Sequence, residues 1–226
     1  MALILSIETS VKACSVALHQ SGKLLAISQF LVEKATSQIL TVAIEQIIKD
    51  LGYSLNNLEA IAVAKGPGSY TGLRIGIATA KGLCYALQVP LLAVNTLEVM
   101  TEDVKRFFSM SEYLFCPMID ARRMEVFCAI YNRMGEVIAP VEAKIIDENS
   151  FIDLLVNKKI LFFGDGAIKC KDKITHPNAI FIDTIIPSAV YVGEIAWKFF
   201  QTNQVEDVET FEPFYLKEFV STKPLS

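Results

Sequence analysis

Apolar and polar positions predict three strands at the start of the chain. Apolar residues alternate or run continuously over residues 3–8, 14–19 and 24–29, and Gln20-Ser21-Gly22-Lys23 favours a tight turn between the last two strands. A strongly amphipathic helix is predicted from Ser37 to Leu51, with Gly52 as its C-terminal stop. The chain therefore opens with a βββα unit.

Strands and helices alternate through the rest of the chain. Strands are predicted at 60–64, 91–94, 113–119, 125–132, 137–146, 160–163 and 179–182, and helices at 72–88, 96–108, 149–157 and 188–201. The second half nearly repeats the βββαβα order of the first. The pattern predicts an α/β protein of two lobes, residues 1–108 and 109–226, each a mixed sheet with flanking helices.

The segment Lys65–Gly76 breaks an apolar strand and opens a glycine-rich helix. Gly66-Pro67-Gly68 predicts a turn, and Ser69 or Thr71 can cap the helix. Free N–H groups at such a helix start can hold an anion. The segment nevertheless lacks the glycine spacing of a phosphate loop, and Pro67 stands where a nucleophile elbow needs glycine.

Small residues form one stripe of the helix that follows, where Gly72, Gly76 and Ala80 recur every four positions. A glycine inside a helix costs roughly 0.5–1 kcal/mol relative to alanine, so the stripe implies the close approach of another element. Two interpretations stay open: this element belongs to the protein itself, or it belongs to a partner.

The first predicted helix has an apolar face that is wider than one core stripe. We expect part of this face to be uncovered, and exposed apolar patches mark partner sites. Arg74 and Lys81 on the second helix either pair with partner carboxylates or are solvated. The predicted partner interface comprises Ile39, Leu40, Ala43, Ile44, Ile47, Gly72, Leu73, Arg74, Gly76, Ile77, Ala80 and Lys81.

Composition indicates a globular protein in a reducing compartment. The 226 residues are 52% hydrophobic and carry a net charge of −4, which argues against a surface that grips nucleic acid by charge alone. Five cysteines without a Cys-x-x-Cys pair favour buried free thiols. Glu8 interrupts the apolar segment of the first strand, which is therefore too short for the apolar region of a signal peptide. The uncharged run 82–97 is too short for a membrane helix. We therefore expect a cytoplasmic protein with no membrane contact.

Six segments carry a resemblance to a known family. They occur in the expected order over nearly the whole chain, and the Lys65–Gly76 segment is highly specific. Together they resemble the TsaB family, within the actin-like ATPase superfamily, whose fold is two-lobed and ribonuclease H-like. The segments are Ile4–Ser10, Lys65–Gly76, Pro117–Val126, Phe163–Ala167, Pro187-Ser188 and Glu212–Lys217.

The resemblance implies a non-catalytic scaffold in tRNA modification. The family helps to attach threonylcarbamoyl to N6 of the adenosine 3′ of the anticodon in tRNAs that read codons starting with A. The paralogue TsaD carries a metal and transfers the group from threonylcarbamoyl-AMP, TsaE hydrolyses ATP, and the TsaB subunit binds TsaD through helices of the first lobe. The resemblance thus implies no cofactor and contact with tRNA only through the complex. The wide apolar face of the first helix predicts a helical bundle with TsaD, or a homodimer through the same face when TsaD is absent.

The histidines agree with the absence of a metal. His19 and His176 are far apart in sequence and show no zinc or iron spacing. Many family members have a histidine before the first helix, where this chain has Ala35. A peptidase is also disfavoured, because neither a Ser/His/Asp order nor an activated cysteine is visible.

A nucleotide-binding enzyme, either an ATPase or a small-molecule kinase, is the alternative function. Glu8 stands where the superfamily has an aspartate that orients magnesium, and the Thr9 and Ser10 hydroxyls can donate hydrogen bonds. Gly164-Asp165-Gly166 is either a phosphate turn or an ordinary turn. The possible vestigial nucleotide site therefore comprises Glu8, Thr9, Ser10, Gly164 and Gly166. A polar cluster of Asp120, Arg122 and Glu125 either binds a ligand or closes a hairpin.

Overall fold

The first sheet contains the three opening strands. The computed structural model describes residues 2–31, 37–108, 112–183 and 185–216. Strand order is β3-β2-β1-β4-β5, in which β1, β2 and β3 are antiparallel neighbours and β1, β4 and β5 are parallel ones. The strands are β1 (Leu3–Val11), β2 (Ala13–Gln20), β3 (Lys23–Phe30), β4 (Ala60–Gly66) and β5 (Leu91–Asn95).

The second sheet repeats this topology. Its order is β10-β9-β6-β7-β8, again with three antiparallel strands followed by parallel ones. The predicted α/β fold with two mixed sheets is therefore confirmed. The strands are β6 (Tyr113–Asp120), β7 (Glu125–Tyr131), β8 (Val137–Ile145), β9 (Lys159–Phe163) and β10 (Ala179–Ile182).

Five α-helices lie in the described part of the chain: α1 (Ser37–Asp50), α2 (Tyr70–Leu87), α3 (Thr96–Lys105), α4 (Ile152–Leu155) and α5 (Ala189–Gln201). Helix α4 is much shorter than the predicted helix at 149–157. Ser150 and Asp147 hold a side-chain turn there, and Phe151 has a left-handed φ of 65°. Because of these two features, the helix begins only at Ile152. No helix in the described ranges is long and apolar enough to cross a membrane.

Helices from each half of the chain contact the sheet that the other half forms. Helices α1 and α2 cover one face of the first sheet, and α5, from the second half, covers the other face. Helix α3, from the first half, packs Leu97, Met100 and Val104 against the core of the second sheet. The strands of the two sheets are therefore separate in sequence, whereas α5 packs on the sheet of the other half and α3 contacts both sheets.

Candidate functional site

The turn before α2 begins the helix as the sequence predicts. Ser69 is the N-cap, and its Oγ accepts a hydrogen bond from the N–H of Gly72 at 3.3 Å. The Ser69 N–H donates to the Ser10 carbonyl of β1 at 2.6 Å. Thr71 lies inside the helix. The turn thus joins α2 directly to the end of β1.

The small-residue stripe of α2 packs against the protein's own first strand. A Cβ on Gly72 would collide with the Thr9 carbonyl oxygen, and a Cβ on Gly76 would collide with Thr9 Oγ1. Thr9 Oγ1 donates to the Gly72 carbonyl at 2.8 Å. Ala80 is buried as well. The close approach is therefore made by β1, which favours the first of the two interpretations of this stripe.

The expectation that the wide apolar face of α1 is partly uncovered is wrong for most of its residues. Strands β2 and β3 and helix α2 pack against α1 and cover this face. Ile39 and Leu51 are partly buried at its margin. In the isolated chain the buried members of the predicted interface are Leu40, Ala43, Ile44, Ile47, Gly72, Leu73, Gly76, Ile77 and Ala80.

The structure has an open groove between α1 and α2, where the sequence predicted a broad uncovered apolar face on α1. It encloses about 620 Å³, and Ile44 and Ile48 contribute to its lining. Leu83 of α2 and Tyr53 lie along the same groove, and Glu45 and Lys49 add charge. Ile44 and Ile48 are 4–5% exposed, so they offer a narrow apolar strip.

The outer side of α2 next to this groove carries small residues and one large aromatic ring. Tyr85 is 73% exposed, and Ala78 and Gly82 are exposed on the same helix. A Cβ on Gly82 would meet nothing within 4 Å. The sequence analysis did not single out these residues because it considered only the stripe of small residues that contains Gly72. Gly82 is an equally unfavourable residue inside a helix and could have drawn attention to this side of α2.

The C-terminal strap, which we define as residues 205–216, binds Lys81. Lys81 Nζ donates to the carbonyls of Glu209 at 3.2 Å and Phe211 at 2.9 Å. The Phe214 N–H donates to the Lys65 carbonyl at 2.7 Å. Lys81 therefore binds the protein's own strap. The sequence analysis predicted either a contact with a partner or a solvated side chain at this position.

Arg74 stays exposed at the start of α2, as the interface prediction requires. Its guanidinium lies 5.0 Å from the centre of the Tyr70 ring. Tyr70 stacks with Tyr215 of the strap at a centroid distance of 4.9 Å. The Arg74 guanidinium and the two tyrosine rings therefore form one cluster, held by a cation–π contact and a ring stack.

Glu8 is fully buried at the end of β1. Its Oε1 accepts the Ser10 N–H at 2.5 Å, whereas Oε2 and Ser10 Oγ have no hydrogen-bond partner among the described residues. Burial raises the pKa of the Glu8 carboxyl from 4.5 to about 7. A carboxyl in this position is poorly placed to orient magnesium.

The glycines of the second lobe serve close backbone packing. A Cβ on Gly164 would collide with the Met118 carbonyl and Met100, and one on Gly166 would lie 2.8 Å from the Ile119 carbonyl carbon. These contacts support the ordinary-turn interpretation. A nucleotide site that includes these glycines and Glu8 stays a prediction without support from the described contacts.

Asp120 belongs to a network that closes a hairpin. Its carboxylate accepts the Arg122 N–H at 3.0 Å and pairs with Lys169, whose Nζ also donates to the Glu125 carbonyl at 2.7 Å. Asp165 Oδ1 accepts the Asp120 N–H at 2.9 Å. The network supports the structural interpretation, and sequence reasoning missed Lys169 because it is remote along the chain.

Metal-ligating residue types do not converge. The described residues contain no group of three or more His, Cys, Asp or Glu that could hold a metal ion. His19 is buried in β2, and His176 Nδ1 accepts the Asn178 N–H at 3.1 Å. Ala35 lies outside the described residues. All five cysteines are free and buried, as predicted: Cys14, Cys84, Cys116, Cys128 and Cys170.

Comparison with known proteins identifies the family. The family model described as TsaD, tRNA N6-adenosine threonylcarbamoyltransferase, matches residues 30–217. The tRNA threonylcarbamoyladenosine biosynthesis protein TsaB of Escherichia coli K12 is 31% identical, and the match covers 98% of this chain and 97% of that protein.

Solved structures agree with the sequence match. A Pseudomonas aeruginosa protein described as similar to peptidase YEAZ superposes with a TM-score of 0.84 at 25% identity, covering 96% of this chain and 100% of that one. The ADPNP-bound activator of 2-hydroxyisocaproyl-CoA dehydratase from Clostridium difficile shares the fold alone, with a TM-score of 0.52 at 8% identity, over 89% and 97% of the two chains. The chain belongs to the TsaB proteins of tRNA threonylcarbamoyladenosine biosynthesis, within the wider family that the TsaD model describes.

Proposed function

We propose that this chain is a non-catalytic scaffold that binds TsaD and, with TsaE, supports the transfer of threonylcarbamoyl to N6 of the adenosine 3′ of the anticodon. The proposal places the chain in the cytoplasm and gives it contact with tRNA only through the complex. Its support is the family membership together with one observation, the open apolar groove between α1 and α2.

The likeness to the TsaD model suggests how the partner would fit. The matched range, 30–217, includes both α1 and α2, so TsaD should carry an equivalent helix pair. Two such pairs can pack face to face around a pseudo-two-fold axis as a four-helix bundle. Ala78 and Gly82 would allow a close approach, and Tyr85 would supply the large aromatic contact that interfaces favour.

This arrangement revises which residues meet the partner. Buried positions such as Ile47 and Gly76 would support the helices from behind, while Arg74 and the exposed sides of α1 and α2 would make the contact. The sequence also predicted a homodimer through these helices, which would compete with TsaD for one surface.

Co-purification with TsaD tests the proposal. We expect Tyr85→Glu and Ala78→Arg to weaken the complex by at least tenfold, because each puts a charge or bulk into an apolar contact. The control is Val137→Glu, since Val137 is 57% exposed on β8 of the other lobe. Unchanged binding by both α2 variants would overturn the proposed surface.

A second measurement tests the scaffold role itself. Modification of tRNA should require TsaD and should fall with the α2 variants in proportion to the lost complex. Transfer of threonylcarbamoyl by the purified chain alone would overturn the non-catalytic role. ATP hydrolysis by the chain that is lost in Glu8→Ala would favour the alternative enzyme.

A further inference from the structure

Another cavity lies at the end of α3, where that helix meets the turn between β7 and β8. It encloses about 330 Å³, which is within the range of small-ligand sites. Three of its five lining residues are cations and one is an anion, although the whole chain has a net charge of −4. The lining residues are Glu102, Lys105, Arg106, Arg133 and Met134. The cavity is therefore a local concentration of positive charge in an acidic protein.

The carboxylates next to this cavity are already paired. Glu102 Oε2 pairs with Lys105 at 2.7 Å, and its Oε1 lies 3.8 Å from Lys198. Glu194 of α5 pairs with Arg106. These contacts hold the side chains of Lys105 and Arg106 in place. They leave most of the N–H donors unused, because an ammonium group has three donors and a guanidinium group has five.

Arg133 lines the same cavity from a different element, the turn between β7 and β8. Asn132 Nδ2 donates to Glu136 Oε2 at 2.6 Å and closes this turn. Lys105 Nζ lies 3.3 Å from the position of a Cβ on Gly135, so the turn approaches α3 closely. No carboxylate of a described residue pairs with Arg133. Cations are favourable at the C-terminal end of a helix, but this explains only the two cations of α3.

Two exposed apolar side chains accompany these cations. Phe107 follows Arg106 directly in the turn that ends α3, and it is 77% exposed. Met134 lines the cavity and is 80% exposed. Cations beside an exposed aromatic ring are typical of proteins that bind unpaired RNA, because the cations hold phosphates and the ring stacks on a base. An acidic protein surface would use the cations without the ring.

We propose that this cavity binds a phosphate group of the tRNA backbone and that Phe107 stacks on a base next to that phosphate. The inference rests on the proposed scaffold function and adds one direct contact with tRNA inside the complex. The net charge of −4 makes the isolated chain a weak binder of tRNA. In the complex, the cavity and TsaD bind the same RNA, so a weak contact gains from the high effective concentration.

TsaD bound at the groove between α1 and α2 leaves this cavity open. Arg106 contacts Tyr191 and Glu194 of α5, and α5 covers the face of the first sheet opposite α1 and α2. Variants of the cavity should therefore bind TsaD as well as the wild type does, whereas Tyr85→Glu should not. This difference separates a failure of the cavity proposal from a failure of the scaffold function.

Binding of tRNA to the complex of this chain with TsaD and TsaE, measured over a series of salt concentrations, tests the phosphate contact. Arg133→Glu should weaken binding by about three- to tenfold and lower the slope of log K against log salt by about 1, because one phosphate contact is lost. The matched control is Lys158→Glu, which makes the same change of charge at an exposed residue after α4. This control should keep the wild-type affinity and slope.

Phe107→Ala tests the stacked base separately. Loss of the ring should weaken tRNA binding by about fivefold or more and leave the salt slope unchanged, because every phosphate contact remains. Ile145→Ala is the control, since Ile145 is 72% exposed on β8. Wild-type affinity in Phe107→Ala would overturn the stacking contact.

The remaining outcomes identify what else could occupy the cavity. Wild-type affinity and slope in Arg133→Glu, with the complex intact, overturn the phosphate contact and leave the scaffold function standing. A wild-type chain that forms no complex with TsaD overturns both proposals. Loss of TsaE in Arg133→Glu, with tRNA binding unchanged, would assign the cavity to an acidic protein surface instead.

Inorganic phosphate is the probe for a free anion. It is added to the isolated chain at constant ionic strength, and the melting temperature is measured. A rise in the wild type that is absent in Arg133→Glu, while both complexes bind tRNA equally well, would make the cavity a site for small phosphates and overturn the contact with RNA.

Discussion

The buried carboxyl of Glu8 should make the protein less stable as the pH rises towards neutrality. Burial raises its pKa from 4.5 to about 7 in the folded chain. Below pH 4.5 both the folded and the unfolded chain bind this proton. Between 4.5 and about 7 only the folded chain keeps it, so the free energy of unfolding falls with increasing pH. The contribution is fully present below the unfolded pKa and lost above the folded one.

The size of the effect follows from the pKa difference. The interval from 4.5 to about 7, at about 1.36 kcal/mol for each pH unit, amounts to about 3 kcal/mol. Glu8→Gln keeps an oxygen that can accept the Ser10 N–H and does not titrate. We therefore expect the variant to gain about 3 kcal/mol over wild type when the pH is raised from about 4.5 to about 8.

Urea unfolding at a series of pH values measures this difference. His19 has the opposite effect, because burial lowers its pKa from 6.5 and its contribution is lost as the pH falls. Subtracting the wild-type curve from the Glu8→Gln curve cancels His19, which both proteins contain. Equal urea m-values would show that the denatured states match. A pH-independent difference between the two proteins would refute the argument.

Three further predictions concern α2. Gly72→Ala should destabilise the fold by about 1–3 kcal/mol because its Cβ meets the Thr9 carbonyl. Gly82→Ala should instead stabilise the fold by about 0.5–1 kcal/mol because that site is open. Urea unfolding compares the two variants, and equal effects would contradict this packing. Ser69→Ala should cost about 1 kcal/mol through loss of the N-cap, and thermal melting would disprove this if the midpoint did not fall. Lys81→Met should loosen the strap, and unchanged hydrogen exchange in residues 205–216 would count against that contact.

The sequence predicted the order of elements well because periodicity is a local property. The strands and helices follow from alternation and 3.6-residue repeats, and the costly glycines Gly72 and Gly76 correctly implied a close neighbour. The sequence did not show that this neighbour is Thr9 of β1. That contact joins residues 63 positions apart, and no local pattern encodes it.

The exposed surface of α1 and α2 was harder to predict for the same reason. The width of the apolar face of α1 suggested an uncovered patch, but the β2–β3 hairpin and α2 cover it. Lys81 looked free because the strap that it binds follows 128 residues later. Exposure depends on how distant elements pack together, so the sequence of a single helix could not distinguish its buried side from its exposed side.

The packing of α5 on the first sheet constrains the order in which the protein acquires its structure during synthesis. One face of the first sheet is covered mainly by α5, through Val192, Ile195 and Ala196, with Val99 of α3 in the same core cluster. A nascent chain that ends before Gln201 has not yet completed α5. That apolar face is therefore exposed while the chain is still on the ribosome, even if the first sheet has already formed. Native stability should arise in one late step when α5 emerges from the ribosome, and the first half expressed by itself should aggregate.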